Sequence, residues 1–166
     1  MSFTNTSKLE NDQFITNNGF YPNVLISHFI TTYRIPSQYA IESTTEGLIQ
    51  SIISINQVLI DIQATIISLG YNSLMDYALD NSDKIAGEEI LISLYKKAVF
   101  SHAKAFLIKM FETMNPIKED KAGSVDSIET YKTWLNESST AIYLFKNKVN
   151  NIVEISTLSN TYVGLI

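Results

Sequence analysis

STTEGLIQSIISINQVLIDIQATIISLG, residues 43–70, is the stretch that decides the fold. Leu48, Ile52, Ile55, Leu59, Ile62, Ile66 and Leu69 step by four and three, a 3.5-residue period that predicts one helix with an apolar seam against another helix. Ser43-Thr44-Thr45-Glu46 reads as a capping box at its start, and Gly70 as its carboxy-terminal cap. A second stripe, Ile49, Ile53, Ile60 and Ile67, widens the apolar surface, while Glu46 and Asp61 are the only charges between 43 and 69. One face cannot hold so many isoleucines, so the helix is predicted to be central in a bundle or shared with a neighbouring subunit. Ile52, Ile60 and Ile67 are the residues expected at that core or subunit interface. A bilayer span nearly fits the length, but Gln50, Asn56, Asp61, Gln63 and several serines make it costly, and no membrane partner is expected.

Outward from this segment the chain is again helical. Ser27 can cap a short helix through about Tyr33, stopped by Pro36. Tyr71 to Lys84 is turn-rich and acidic, with one helical turn at Ser73–Tyr77. Gly87 then frees a turn, and Glu88 and Glu89 are expected to place negative charge on the amides of a helix over 88–114. Within it Ala98, Ser101 and Ala105 share a face that another helix could approach closely. Asn115 to Ser124 holds Pro116 and Gly123 and reads as a solvent-exposed loop. The last helix is expected over 124–150, with Ile128, Tyr131, Leu135, Ser138, Ile142, Phe145 and Val149 on its seam. The predicted fold is all-α: an antiparallel bundle of three long helices plus a short one. Residues 1–18 form an arm, 19–150 the helical domain and 151–166 an extended, apolar tail suited to docking on another protein.

Composition bounds the chemistry. With 166 residues, 45% of them hydrophobic and 17% charged, the chain can fill one core yet is short of charge for so helical a pattern, which suggests surface hidden in an assembly. A net charge of −5 argues against gripping nucleic acid by phosphate neutralisation. Lys97 and Lys104, seven apart, could make weak contact with DNA, against the plainer reading of a solvated or salt-bridging face. The absence of cysteine rules out disulfides and thiolate metal sites and fits a reducing cytoplasm. His28 and His102 lack a second ligand at a metal-site interval, and adjacent Glu88 and Glu89 point about 100° apart on a helix, too divergent for an acid/base pair. No phosphate loop, nucleophile elbow or dinucleotide fingerprint occurs among six glycines. The expectation is a protein without catalytic residues, cofactor or metal. Trp134, off the strict seam of its helix, suits an interface anchor as well as the edge of a core.

The run Ile85-Ala86-Gly87-Glu88-Glu89-Ile90-Leu91-Ile92-Ser93-Leu94-Tyr95-Lys96-Lys97-Ala98-Val99, continued by Ala103-Lys104-Ala105-x-Leu107, resembles the head completion (head stabilisation, gpL-type) proteins of temperate contractile-tailed bacteriophages. Asn18-Gly19-Phe20-Tyr21-Pro22 with Ile26, Phe29 and Arg34, Ile55-Asn56 with Leu59, Gly70-Tyr71-x-Ser73-Leu74, and the ending Tyr162-Val163-Gly164-Leu165-Ile166 extend the likeness over most of the chain. Between about 115 and 160 it is one of pattern, the family being richer there in Arg. The resemblance implies a structural virion protein at the head–tail neck, assembled in the host's cytoplasm: an adaptor ring of about twelve copies. Its partners would be the portal, neighbouring copies, and a tail-side completion or terminator protein, with only passing contact with packaged double-stranded DNA. It implies that Tyr162, Val163, Leu165 and Ile166 dock on portal or neighbour. A free-standing helical binding module, an adaptor or regulator, is the alternative.

Overall fold

In the computed structural model, which describes residues 13–114 and 123–163, the long helix α5 (Ile90–Met114) is the element on which the others are laid. Helix α2 (Ile41–Val58) and helix α6 (Gly123–Val163) both pack on it. Each runs antiparallel to α5. Gly47, Ser51 and Asn56 of α2 meet Leu107, His102 and Tyr95, and Glu137 and Trp134 of α6 meet Lys97 and Lys104. The protein is mainly α. Helices α1 (Ile26–Thr32), α3 (Ile60–Ser68) and α4 (Leu74–Asn81) complete it, with two antiparallel hairpins of two-residue strands, β1 (Phe14–Ile15) with β2 (Val24–Leu25) and β3 (Lys84–Ile85) with β4 (Glu88–Glu89).

The seam read from the sequence is the core. Leu48, Ile52, Ile55, Leu59, Ile62 and Ile66 are buried, each contributing roughly 1.5–3 kcal/mol of apolar transfer, whereas Leu69 is exposed. They share one cluster with Leu91, Tyr95, Val99 and Leu107 of α5. The small-residue face of α5 behaves as its composition dictates. Ala98, Ser101 and Ala105 are buried, and α6 comes near enough for the Ser138 hydroxyl to donate to the Ala98 carbonyl at 2.8 Å. On the other flank a β-carbon at Gly47 would lie 3.2 Å from Leu107 Cδ2, so glycine sets the approach of α2.

Several local expectations are corrected. The expected single helix over 43–69 is two, broken at Leu59 and bent by 60°. It begins at Ile41 behind Ala40, so Ser43 lies inside the first turn and no capping box forms; the Thr44 and Thr45 hydroxyls instead donate back to the Ala40 and Ile41 carbonyls. Ser27 is likewise within α1, whose start is Leu25, because pairing of β1 with β2 delivers the chain directly into the helix and the Ile26 amide bonds to the Gln13 carbonyl. Residues 13–18, expected in an arm, are thereby tied to the body.

Glu88 and Glu89 do not cap α5. They form β4, facing Ile85 and Lys84 across the Ala86-Gly87 turn, where φ is +53° and +85°, the two positive values of a tight hairpin. Glu89 is buried with its carboxylate 2.9 Å from Lys84 Nζ, a bond that holds the carboxyl below the usual range, and Glu88 pairs with Lys96. The single turn expected at Ser73–Tyr77 is a full helix, α4, with the Ser73 hydroxyl accepting from the Asp76 amide. Gly70 ends α3 as expected: at φ +95° its amide bonds to the Ile67 carbonyl and that of Tyr71 to Ile66, the double closure of a Schellman cap. The tail is corrected most. From 151 through Val163 the chain continues helix α6 rather than running extended, because the apolar spacing of the seam carries on through Ile152 and Val153, which pack against the core. The loop expected over 115–124 lies mainly outside the described residues, as do Leu165 and Ile166.

Candidate docking surface

No proline or glycine lies at the bend at Leu59; a half-buried polar cluster is built against it. The Tyr21 hydroxyl donates to the Leu59 carbonyl at 3.2 Å, beside the Gln63 amide that this carbonyl also accepts at 2.9 Å, and its ring stacks on Tyr95 at 4.6 Å between centroids. The Tyr95 hydroxyl in turn donates to Asn56 Oδ1 at 2.7 Å and accepts from Asn17 Nδ2 at 2.7 Å, while Asn56 Nδ2 donates to Asn17 Oδ1 at 2.8 Å. Three side chains from three segments thus close a ring of hydrogen bonds. Burial pushes both tyrosine hydroxyls up, keeping them protonated donors. The consequence is directional: the bend sets how α3 leaves α2, and so where its outer face points.

That outer face is apolar. Ile53, Ile60 and Ile67 are 57%, 50% and 52% exposed, whereas Ile52, read on the seam and at a core or subunit interface, is 6% exposed and belongs to the core. Ile60 and Ile67, seven apart, share one side of α3. Met75 and Leu79, four apart on α4, are also exposed, as is Ile85 beside the hairpin turn. Isolated surface isoleucines are ordinary, but a series of them along consecutive helices is the mark of a surface made to be covered. Sequence reasoning missed Tyr143 and Leu144, both exposed on α6. They fall outside the seam of that helix, and the seam's own spacing was the signal that could have found them.

The remaining candidates are occupied. Lys97 pairs with Glu137 at 2.8 Å. Lys104 donates to the Tyr33 carbonyl at 2.7 Å, satisfying the end of α1, and its ammonium lies 4.2 Å from the centre of the Trp134 ring, with burial lowering its pKa. Trp134 is half-buried and also meets Tyr33 at 5.4 Å between centroids, so it braces α1 against α5 and α6. His102 sits between α2 and α5 with Nδ1 2.9 Å from Ser51 Oγ. Since the single Ser51 proton is given to the Gly47 carbonyl at 2.7 Å, the imidazole is the donor, and burial lowers its pKa. A cleft of about 360 Å³ between α5 and α6 is lined by His102, Phe106, Lys109, Met110, Tyr131 and Leu135. Among the described residues no three His, Asp or Glu side chains gather to hold a metal ion. No single described helix is long and apolar enough to cross a membrane, and α2 with α3 passes that test only when joined across the bend. Tyr162 and Val163 fall in the last turn of α6.

These elements make a mainly α-helical protein with an apolar series exposed along α2 and α3. The family model for phage head completion protein (GPL) matches residues 15–155, and the chain belongs to that family. It is a structural protein of a bacteriophage virion. A probable head completion/stabilization protein of Haemophilus phage HP1 (strain HP1c1) is 31% identical over 139 residues, covering 82% of this chain and 88% of the relative. No solved structure matches significantly. The family match runs from β1 into α6 and stops short of Tyr162 to Ile166.

Proposed function

We propose that the protein is an adaptor of the head–tail neck: a ring of about twelve copies seated on the portal of a DNA-filled head, carrying the next tail-side ring and holding the genome in. The observation that carries this reading is the exposed Ile53, Ile60 and Ile67 series on a chain of the head completion family. With α2, α5 and α6 taken as an antiparallel bundle, that series lies on the outside of the body, free for a neighbour. The isoleucine series and the half-buried Trp134 serve contacts between subunits. The end of the chain, with Tyr162, Val163, Leu165 and Ile166, docks on portal or neighbour, several such ends acting together around the ring. Contact with DNA is slight, because the net charge is −5 and Lys97 and Lys104 already hold protein partners.

Ile60→Glu tests the reading. Ile60 is half exposed in the single chain, so the isolated variant should keep wild-type stability within about 0.5 kcal/mol, yet fail to enter heads. Normal incorporation would show that the α3 face is not an interface. Deleting Asn160 to Ile166 should give heads that package DNA but lose it or fail to take tails. Normal completion by the truncated chain would leave the helix faces as the anchor.

A further inference from the structure

The charges of the chain are sorted by flank. Between Ile35 and Asp80 there is no lysine or arginine, while Glu42, Glu46, Asp61, Asp76 and Asp80 are all exposed; Asp83, beyond α4, is already paired with Lys148 of α6 at 3.2 Å. The carboxylates from Glu42 to Asp80 lie along α2 to α4, the same elements that expose Ile53, Ile60 and Ile67. Helix α6, on the other flank of α5, exposes Tyr143 and Leu144, with Lys146 three residues on from Tyr143 and exposed Lys132 on the same helix. Glu137 of α6 is already neutralised by Lys97 at 2.8 Å. One flank is therefore apolar and acidic; on the other the Tyr143 and Leu144 face is apolar with Lys146 at its edge, the exposed Glu154 lying further along α6.

We propose that the acidic α2–α4 flank of each copy receives the Tyr143 and Leu144 face of the next, head to tail; this rests on the ring reading above and names its interface. The occupant is a second copy of this chain because the two faces complement each other in sign as well as in apolar character. Pairing α3 with α3 would set Asp61 and its neighbouring carboxylates against their own kind, whereas a heterologous contact joins unlike surfaces and repeats until the ring closes. Lys146 then meets carboxylates of the neighbour, and Ile60 and Ile67 lose their water to Tyr143 and Leu144.

The natural chain has no cysteine, so thiols can be introduced cleanly. Ile60→Cys, Leu144→Cys and the double variant are built into heads and treated with a short bis-maleimide, after thiol titration of each isolated chain shows that its cysteines react. The double variant should give a ladder of multimers beyond the dimer, and each single variant only monomer. Dimers from Ile60→Cys alone would mean that like faces meet and would overturn the proposal. Absence of cross-links in the double variant, while native mass measurement shows a ring on the portal, would overturn the assigned faces and leave the ring standing. Absence of any ring would remove both.

Discussion

Replacing Tyr95 with phenylalanine removes one oxygen and leaves the ring free to stay stacked on Tyr21. What is lost is the closure of the hydrogen-bond ring. Asn56 Oδ1 loses the Tyr95 donor, while Asn17 Nδ2 retains the Pro22 carbonyl at 3.1 Å. One stranded acceptor costs about 1–3 kcal/mol and one forfeited hydrogen bond about 1 kcal/mol, and partial exposure of the asparagines brings the sum to about 2 kcal/mol. For a chain of this size that is a melting temperature lower by roughly 4–8 °C. The assay is urea unfolding followed by circular dichroism, with the slope against urea unchanged. Tyr21→Phe is the internal comparison. The Leu59 carbonyl keeps the Gln63 amide at 2.9 Å, so that variant should lose only about 1 kcal/mol. If Tyr95→Phe unfolds at the wild-type midpoint, the cluster does not hold the bend, and the account of how α3 is aimed fails.

Other outcomes follow from single contacts. Gly47→Val sets a branched side chain where a β-carbon already approaches Leu107 and Phe106 to 3.2 Å, and should lower the urea midpoint by about 1–3 kcal/mol of stability; an unchanged midpoint would mean that α2 and α5 can separate freely. His102 has a lowered pKa in the fold, so the unfolded chain binds its proton first. Stability should therefore fall as pH drops below about 6.5, the ordinary histidine value, and level off once pH passes below the folded pKa. His102→Gln should flatten that part of the stability profile, and an identical profile in the variant would contradict the assignment. Glu89 acts in a lower window: its lowered pKa means its contribution is present at neutral pH and lost as pH falls below the usual glutamate range, so Glu89→Gln should lower stability at neutral pH and flatten the acid limb, and an unchanged profile would contradict the pairing with Lys84.

The core was legible because it is periodic. Leu48 through Ile66 repeat at helical spacing, and burial follows that spacing even across the break. The break itself was not legible. The contact made there comes from Tyr21, separated by 38 residues from the Leu59 carbonyl it engages, and no local propensity carries such a contact. Glu88 and Glu89 fit a helix start by charge, but the positive φ at Ala86 and Gly87 makes a hairpin whose register pairs Glu89 with Lys84. Ala86 gives no sequence warning of that conformation, since alanine disfavours it. The exposed face was half legible. Isoleucines in excess of one seam predicted a helix central in the bundle or shared with a neighbour; Ile53, Ile60 and Ile67 are exposed in the single chain, and Ile52, on the seam, is in the core. Helix α6 reads shorter from the sequence since the Asn, Ser and Thr content after 150, with Gly164, disfavours a helix, and packing of Ile152 and Val153 overrides it.

The claim that the protein is a neck adaptor is met most directly by measuring the mass of purified portal rings incubated with the full chain. The account predicts a discrete complex heavier than the portal ring by about twelve copies, stable at physiological salt and lost with Ile60→Glu. A chain that stays monomeric or dimeric and adds no mass to the portal would contradict it, and would leave a free-standing helical binding module in its place.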